Sequence, residues 1–163
     1  MAKLYWFTGL SGAGKTTLGS LWYNYLKSNK NNVVFIDGDM LRYVLDDHGY
    51  SNEERKRGAF QCSRLCALLV DQGIDVICCT ISMFDDVRNW NRENIHDYCE
   101  VYIRATMETL IKRDQKGLYT QGVSNVVGVN LEFEEPKTPD IILDNNGDRT
   151  PEEQIQRLIE ILN

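Results

Sequence analysis

Positive charge, histidine, proline and long apolar runs are all scarce in this sequence, and each scarcity closes off a class of function. Eighteen Lys and Arg stand against 24 Asp and Glu, a net charge of −6. The clustered cations that a nucleic-acid duplex or an anionic membrane demands are missing, so no nucleic acid and no membrane is expected as a partner. Any anionic ligand has to be held by a local site. No apolar run approaches the roughly 20 residues of a membrane span, and residues 1–7 are too short for a signal peptide, which makes a cytoplasmic location the expectation. Five Cys without a C-x-x-C pair indicate neither a disulfide framework nor a zinc site. They read as small core residues, with Cys62 and Cys66 on one buried helical face. The two His, His48 and His96, have no second ligand at metal spacing. With only three Pro and 42% hydrophobic residues, the 163-residue chain is expected to fold throughout as one domain.

What is present is an alternation of strand and helix patterns. "KLYWFTG" reads as a strand running into a glycine-rich turn, and Leu18, Leu21, Trp22, Tyr25 and Leu26 then recur at helical spacing. "NVVFIDGD" is a second strand, followed by a short helix over "MLRYVLDD". Ser51 and Glu54 form a capping box for a long helix that Gly73 closes. "DVICCTIS", "EVYIRA" and "DIILDN" supply three more strands, separated by helices from Asp85 to about Ile95 and over "METLIKRD". Thr150, Pro151 and Glu153 cap a last helix. The expected fold is α/β, a five-stranded parallel sheet covered on both faces. Between Gln115 and Pro139 periodicity fails while Gly and Pro accumulate, the mark of a functional lid or of a disordered segment.

Gly9-Leu10-Ser11-Gly12-Ala13-Gly14-Lys15-Thr16 fits G-x-x-x-x-G-K-S/T without a mismatch, between the strand and the helix that such a loop requires. Its glycines let backbone N–H groups close around phosphates, and the helix that follows presents its positive end. Lys15 is expected on the β- and γ-phosphates, with Thr16 on Mg²⁺ and Thr17 beside it. A nucleoside triphosphate is the implied ligand.

A small GTPase would carry Asn-Lys-x-Asp after a late strand, and the "NKNN" of residues 29–32 precedes the second strand instead. "DVICCTIS" lacks the strand-end carboxylate of motor-type ATPases. The carboxylates on offer, Asp37 and Asp39, follow the second strand at the edge that faces the ligand crevice, the layout of small kinases. Asp39 is the candidate for orienting a hydroxyl acceptor and taking its proton, Asp37 supports Mg²⁺, and Arg42 faces the same crevice. Arg88 and Arg92 share one helical face, able to meet acceptor phosphates or to pair with Asp85 or Glu93.

Read in order, "GLSGAGKTTL", "IDGDMLR", "GYSNEER", Ile81-Ser82, "EVYI", "RDQKGLY" and "EEPKTPDIILDN" resemble the adenylylsulfate kinases nearly end to end. That resemblance implies a P-loop kinase fold, often dimeric, moving the γ-phosphate of MgATP to the ribose 3′-hydroxyl of a nucleotide. It implies that Asp39 is catalytic with Lys15, that Arg42, Arg55, Ile81 and Ser82 face the acceptor, and that Arg113 and Lys116 belong to a lid over ATP. The departures gather on the acceptor side. Gly58 stands for the family's Asn, Phe60-Gln61 for an Arg pair, Met83-Phe84-Asp85 for Pro-x-Arg, and Val126-Val127-Gly128 for Phe-Thr-Gly with its base-stacking Phe. A lost aromatic stack is worth about 1–3 kcal/mol per base. Phe60 and Gln61 are the expected replacements, reading a different base. Within the family's wider circle the chain resembles the cytidine diphosphoramidate kinases of capsule modification. A genuine adenylylsulfate kinase and a non-catalytic nucleotide-binding domain are the other two readings.

Overall fold

A computed structural model describes residues 1–114, 117–124 and 126–163 of the chain. Five strands, β1 (Leu4–Thr8), β2 (Val33–Asp37), β3 (Asp75–Thr80), β4 (Tyr98–Arg104) and β5 (Ile141–Asp144), form one parallel sheet in the order β2-β3-β1-β4-β5. Among the described residues six helices accompany them: α1 (Lys15–Lys27), α2 (Gly38–Val44), α3 (Asn52–Asp71), α4 (Asp85–Asn94), α5 (Met107–Arg113) and α6 (Pro151–Leu162).

The two-residue period of a strand sorts the core. On β1, Tyr5 and Phe7 enter the hydrophobic cluster that holds Leu18 and Trp22 of α1 and Leu158 of α6, whereas Leu4 and Trp6 enter the cluster of Ala59 and Cys66 on α3 and Val87 on α4. On β3, Ile77 and Cys79 go to the first cluster and Val76 and Cys78 to the second. Because every strand of the described sheet is parallel, all five C-terminal ends open on one edge. The chain leaves β1 towards β2 on one side, and β3 is followed by β4 on the other side of β1. The crevice at that reversal of direction is where open α/β sheets take their ligands.

Both expected capping boxes form, Ser51 with Glu54 on α3 and Thr150 with Glu153 on α6. The short second helix starts at Gly38 rather than Met40, because the Asp37 carboxylate accepts from Asp39 N at 3.0 Å and Met40 N at 3.3 Å and so caps it. The far end of the aperiodic segment is pinned. Glu134 N donates to Met83 O, Glu134 Oε2 accepts from Asp85 N, and Arg88 Nη2 donates to Glu134 O at 2.6 Å. Residues 134–140 are thus a strap across the start of α4. Replacing Thr150 by Ala should lower unfolding free energy by about 1 kcal/mol with nucleotide affinity unchanged, and Thr150→Ser should retain most of it, both read from urea unfolding.

Candidate active site

The glycine-rich loop leaves β1 at Gly9 and enters α1 at Lys15. A Cβ at Gly9 would collide with Ile103 O, and Gly14, at φ 106°, would drive one into Asn145 Nδ2, so the backbone alone fits between β4 and the end of β5. Four successive carbonyls of the loop are taken up by side chains. Leu10 O accepts from Lys15 Nζ at 2.8 Å, Ser11 O from the Tyr119 hydroxyl at 2.6 Å, Gly12 O from Arg113 Nη1 at 3.1 Å and Ala13 O from Asn145 Nδ2 at 2.8 Å. In a planar trans peptide the N–H points away from the carbonyl. Tying the carbonyls down therefore turns amide hydrogens towards the cleft lined by Ser11, Gly12, Gly14, Lys15, Thr16 and Thr17. Ala13 N is spent on Leu10 O at 3.1 Å. Gly9 and Ala13 are buried and shape the loop without lining the cleft.

Across the cleft, Thr16 Oγ1 donates to Asp37 Oδ2 at 2.7 Å. Two oxygen donors side by side, one of them a carboxylate, are the ligand type that a hard divalent cation such as Mg²⁺ takes. Asp39 lies in the first turn of α2, exposed on the same wall. One turn on, Arg42 pairs with Asp47 at 3.4 Å, donates to Gly49 O and stacks over the Tyr50 ring at 4.5 Å. Arg55 reaches the same ring at 5.4 Å and donates to Tyr50 O at 3.0 Å. Burial, then the neighbouring Arg42 charge, lower Arg55 below the usual guanidinium range, while the Tyr50 and Asp39 charges work the other way. Two guanidiniums held this close favour a bound anion, which a chain of net charge −6 offers nowhere by composition alone.

The floor comes from the end of β3. Thr8 Oγ1 donates to Ile81 O at 2.5 Å, and the Thr80 and Ser82 hydroxyls lie 2.8 Å apart. Ser82 adopts φ 31°, a conformation that costs a non-glycine residue about 1–3 kcal/mol and tends to occur where a site is being shaped. The strap is bound directly to this turn through Met83 O.

The family model for adenylylsulphate kinase matches residues 1–144. The chain belongs to the adenylylsulphate kinase family. It is 40% identical over 161 residues to a cytidine diphosphoramidate kinase of Campylobacter jejuni, covering 96% of this chain and 94% of that protein. It is 36% identical over 162 residues to an adenylyl-sulfate kinase of Halothermothrix orenii, covering 96% and 87% of the two chains. The APS kinase of Mycobacterium tuberculosis, solved in complex with AMPPNP and APS, superposes with a TM-score of 0.88 at 32% identity, covering 99% of this chain and 97% of that one. Membership of this family makes the chain an ATP-using phosphotransferase.

Set against that family frame, most of the expected site residues converge. Lys15, Thr16, Thr17, Asp37, Asp39, Arg42, Arg55, Ile81 and Ser82 all line one cleft. Phe60 and Gln61 do not. On α3 the residues turned to the cleft are Asn52, Arg55, Gly58, Ala59 and Cys62, and a step of about 100° per residue carries Phe60 and Gln61 round the helix. Phe60 meets Trp90 edge-on at 6.5 Å in the core below α4, and Gln61 is exposed. Arg113, expected over ATP, braces the loop through Gly12 O and Asn145 O instead. Lys116 lies outside the described residues. Arg88 is buried against Asp85 at 2.5 Å and Glu100 at 3.6 Å, and Arg92 joins Glu100 and Asp140, so neither is available to an acceptor phosphate. Val127 keeps a place on the cleft wall while packing into the core.

Tyr119 and Asn145 escaped the sequence reading, since each is joined to the loop only through the fold. Tyr119→Phe removes one carbonyl anchor with little change of shape, and it should weaken MgATP binding by about threefold to tenfold, equivalent to one hydrogen bond. Titration calorimetry with a non-hydrolysable ATP analogue would measure it; an unchanged affinity would mean that the anchor does not hold the loop.

Proposed function

We propose that this chain transfers the γ-phosphate of ATP to the ribose 3′-hydroxyl of an activated cytidine nucleotide, with cytidine diphosphoramidate the first choice. The observation that carries the reading is one cleft holding the phosphate loop, a carboxylate at Asp39 and a paired Arg42–Arg55 wall, combined with Val126-Val127-Gly128 where adenylylsulfate kinases carry Phe-Thr-Gly, Val126 standing for the stacking Phe. The 40% identity to the Campylobacter jejuni protein supports the choice of base. With Phe60 outside the cleft, α3 supplies no aromatic in place of the family's stacking Phe, and among the described residues Phe84 is the aromatic that lines the cleft.

In this reading the loop amides and Lys15 hold the ATP phosphates, and Arg42 and Arg55 hold the acceptor's. Asp39 accepts a hydrogen bond from the 3′-hydroxyl and takes its proton as the oxygen attacks phosphorus. Thr16 and Asp37 would hold Mg²⁺, which when bound neutralises charge on the transferring group. Ser82, fixed by its neighbours' hydroxyl and backbone bonds, orients the ribose. A cytoplasmic homodimer belongs to the same reading, and sedimentation would measure the assembly.

An acceptor panel tests the reading: the protein, MgATP, and either cytidine diphosphoramidate or adenylylsulfate, with product identified as the 3′-phosphate. Faster turnover of the cytidine compound is expected; faster turnover of adenylylsulfate would assign the chain to the sulfate-activating members. Asp39→Ala should leave ATP affinity within about twofold while lowering transfer by about 10²–10⁴-fold, whereas Lys15→Ala should impair both binding and rate. Unchanged turnover in Asp39→Ala would remove that residue from its role.

A further inference from the structure

Three thiols that the phosphoryl transfer does not use converge below the acceptor side of the cleft. Cys62 and Cys66 stand one turn apart on α3, and Cys78 faces them from β3. Their sulfurs all lie within 4.8 Å of one another, with Cys62 Sγ and Cys78 Sγ 3.4 Å apart. The arrangement follows from two periods: positions i and i+4 of a helix share a face, and strand alternation sends Cys78 to that face and Cys79 to the other. Cys66 and Cys78 are fully buried, while Cys62 also forms part of the cleft wall and gives a small reagent a way in.

A soft ion bonded to three sulfurs at about 2.3 Å holds them roughly 4 Å apart, inside the spread already present. Side-chain rotation alone would close the ring. Charge then selects the ion. The cluster around the thiols is built from Leu4, Trp6, Val76, Val87 and Ile95, and among the described residues no Lys, Arg or His acts electrostatically on any of the three thiols. Three thiolates carry three negative charges, of which a monovalent copper ion would leave two and zinc one, uncompensated in an apolar core. A trivalent centre leaves none.

We propose that Cys62, Cys66 and Cys78 form a site for one trivalent thiophilic metalloid of the arsenic(III) class. Binding exchanges ligands without redox change. Arsenous acid loses three As–O bonds and gains three As–S bonds, and each departing hydroxide leaves as water with one thiol proton. The proposal is independent of which nucleotide the cleft accepts.

The test uses the full chain, reduced, with arsenite as the probe. Native mass spectrometry should show one arsenic per chain with three hydrogens lost, and arsenic X-ray absorption should show three sulfur neighbours. Cys66→Ala and Cys78→Ala should each weaken binding by about a hundredfold, since a tethered third ligand is lost. Cys99→Ala, which spares the trio, should bind as the parent does. Folding of each variant is checked by its thermal shift with MgATP; should Cys78→Ala not fold, Cys66→Ala decides. No bound arsenic, two sulfur neighbours, parent-like affinity in Cys66→Ala, or zinc held in preference to arsenite would each overturn the proposal.

Discussion

The cleft depends on what is done with four carbonyl oxygens. A loop that is to grip phosphate with its amide hydrogens must dispose of the acceptors on the same peptides, and an unsatisfied buried carbonyl costs about 1–3 kcal/mol. Here Lys15, Tyr119, Arg113 and Asn145 dispose of them, one each, for Leu10 to Ala13. Three of these four donors come from beyond residue 112 and reach the loop because β4 lies beside β1 and β5 beside β4. The parallel sheet thus does more than carry the loop at its edge: it delivers the groups that fix which way the loop faces. Glycine at 9 and 14 is the other half of the same constraint, leaving room for Ile103 O and the Asn145 amide.

The acceptor side is held in a comparable manner, by the strap. Glu134 binds the Met83 carbonyl, the Asp85 amide and Arg88, while Lys137 ion-pairs with Asp85 at 2.8 Å and, through that hydrogen bond first, lowers the Asp85 carboxyl below its usual range. The strap is thus tied to the turn after β3 at Met83, next to Ser82. The ion pairs of Arg88, Arg92, Glu100 and Asp140 beneath them serve this architecture, with Glu100 raised by its burial and steadied by the two guanidiniums.

Local signals in the sequence were enough for every strand, both capping boxes and the glycine-rich loop between β1 and α1, because each is encoded within a few residues. The start of α2 was not legible: the helix is expected from Met40, and "DGD" reads as a turn until the Asp37 cap is seen. Long-range contacts left no such trace. Tyr119 is 108 positions from the carbonyl it binds and Asn145 is 132, so nothing near either residue marks it. Phe60 and Gln61 were misplaced for a different reason: alignment with a family motif gives a position along α3 but not its rotation, and the rotation points Phe60 at Trp90. Cys62 and Cys66 showed their shared face in the spacing, whereas Cys78 needed the register of helix on sheet.

The most direct test is a crystal structure with Mg²⁺, a non-hydrolysable ATP analogue and a cytidine diphosphate acceptor bound together. The account predicts the β- and γ-phosphates in the amide cradle of residues 11–16, and an Asp39 carboxylate oxygen within about 3 Å of the ribose 3′-hydroxyl. A cytidine nucleotide seated away from Asp39, or one that turns a different hydroxyl or its base towards the carboxylate, would contradict it.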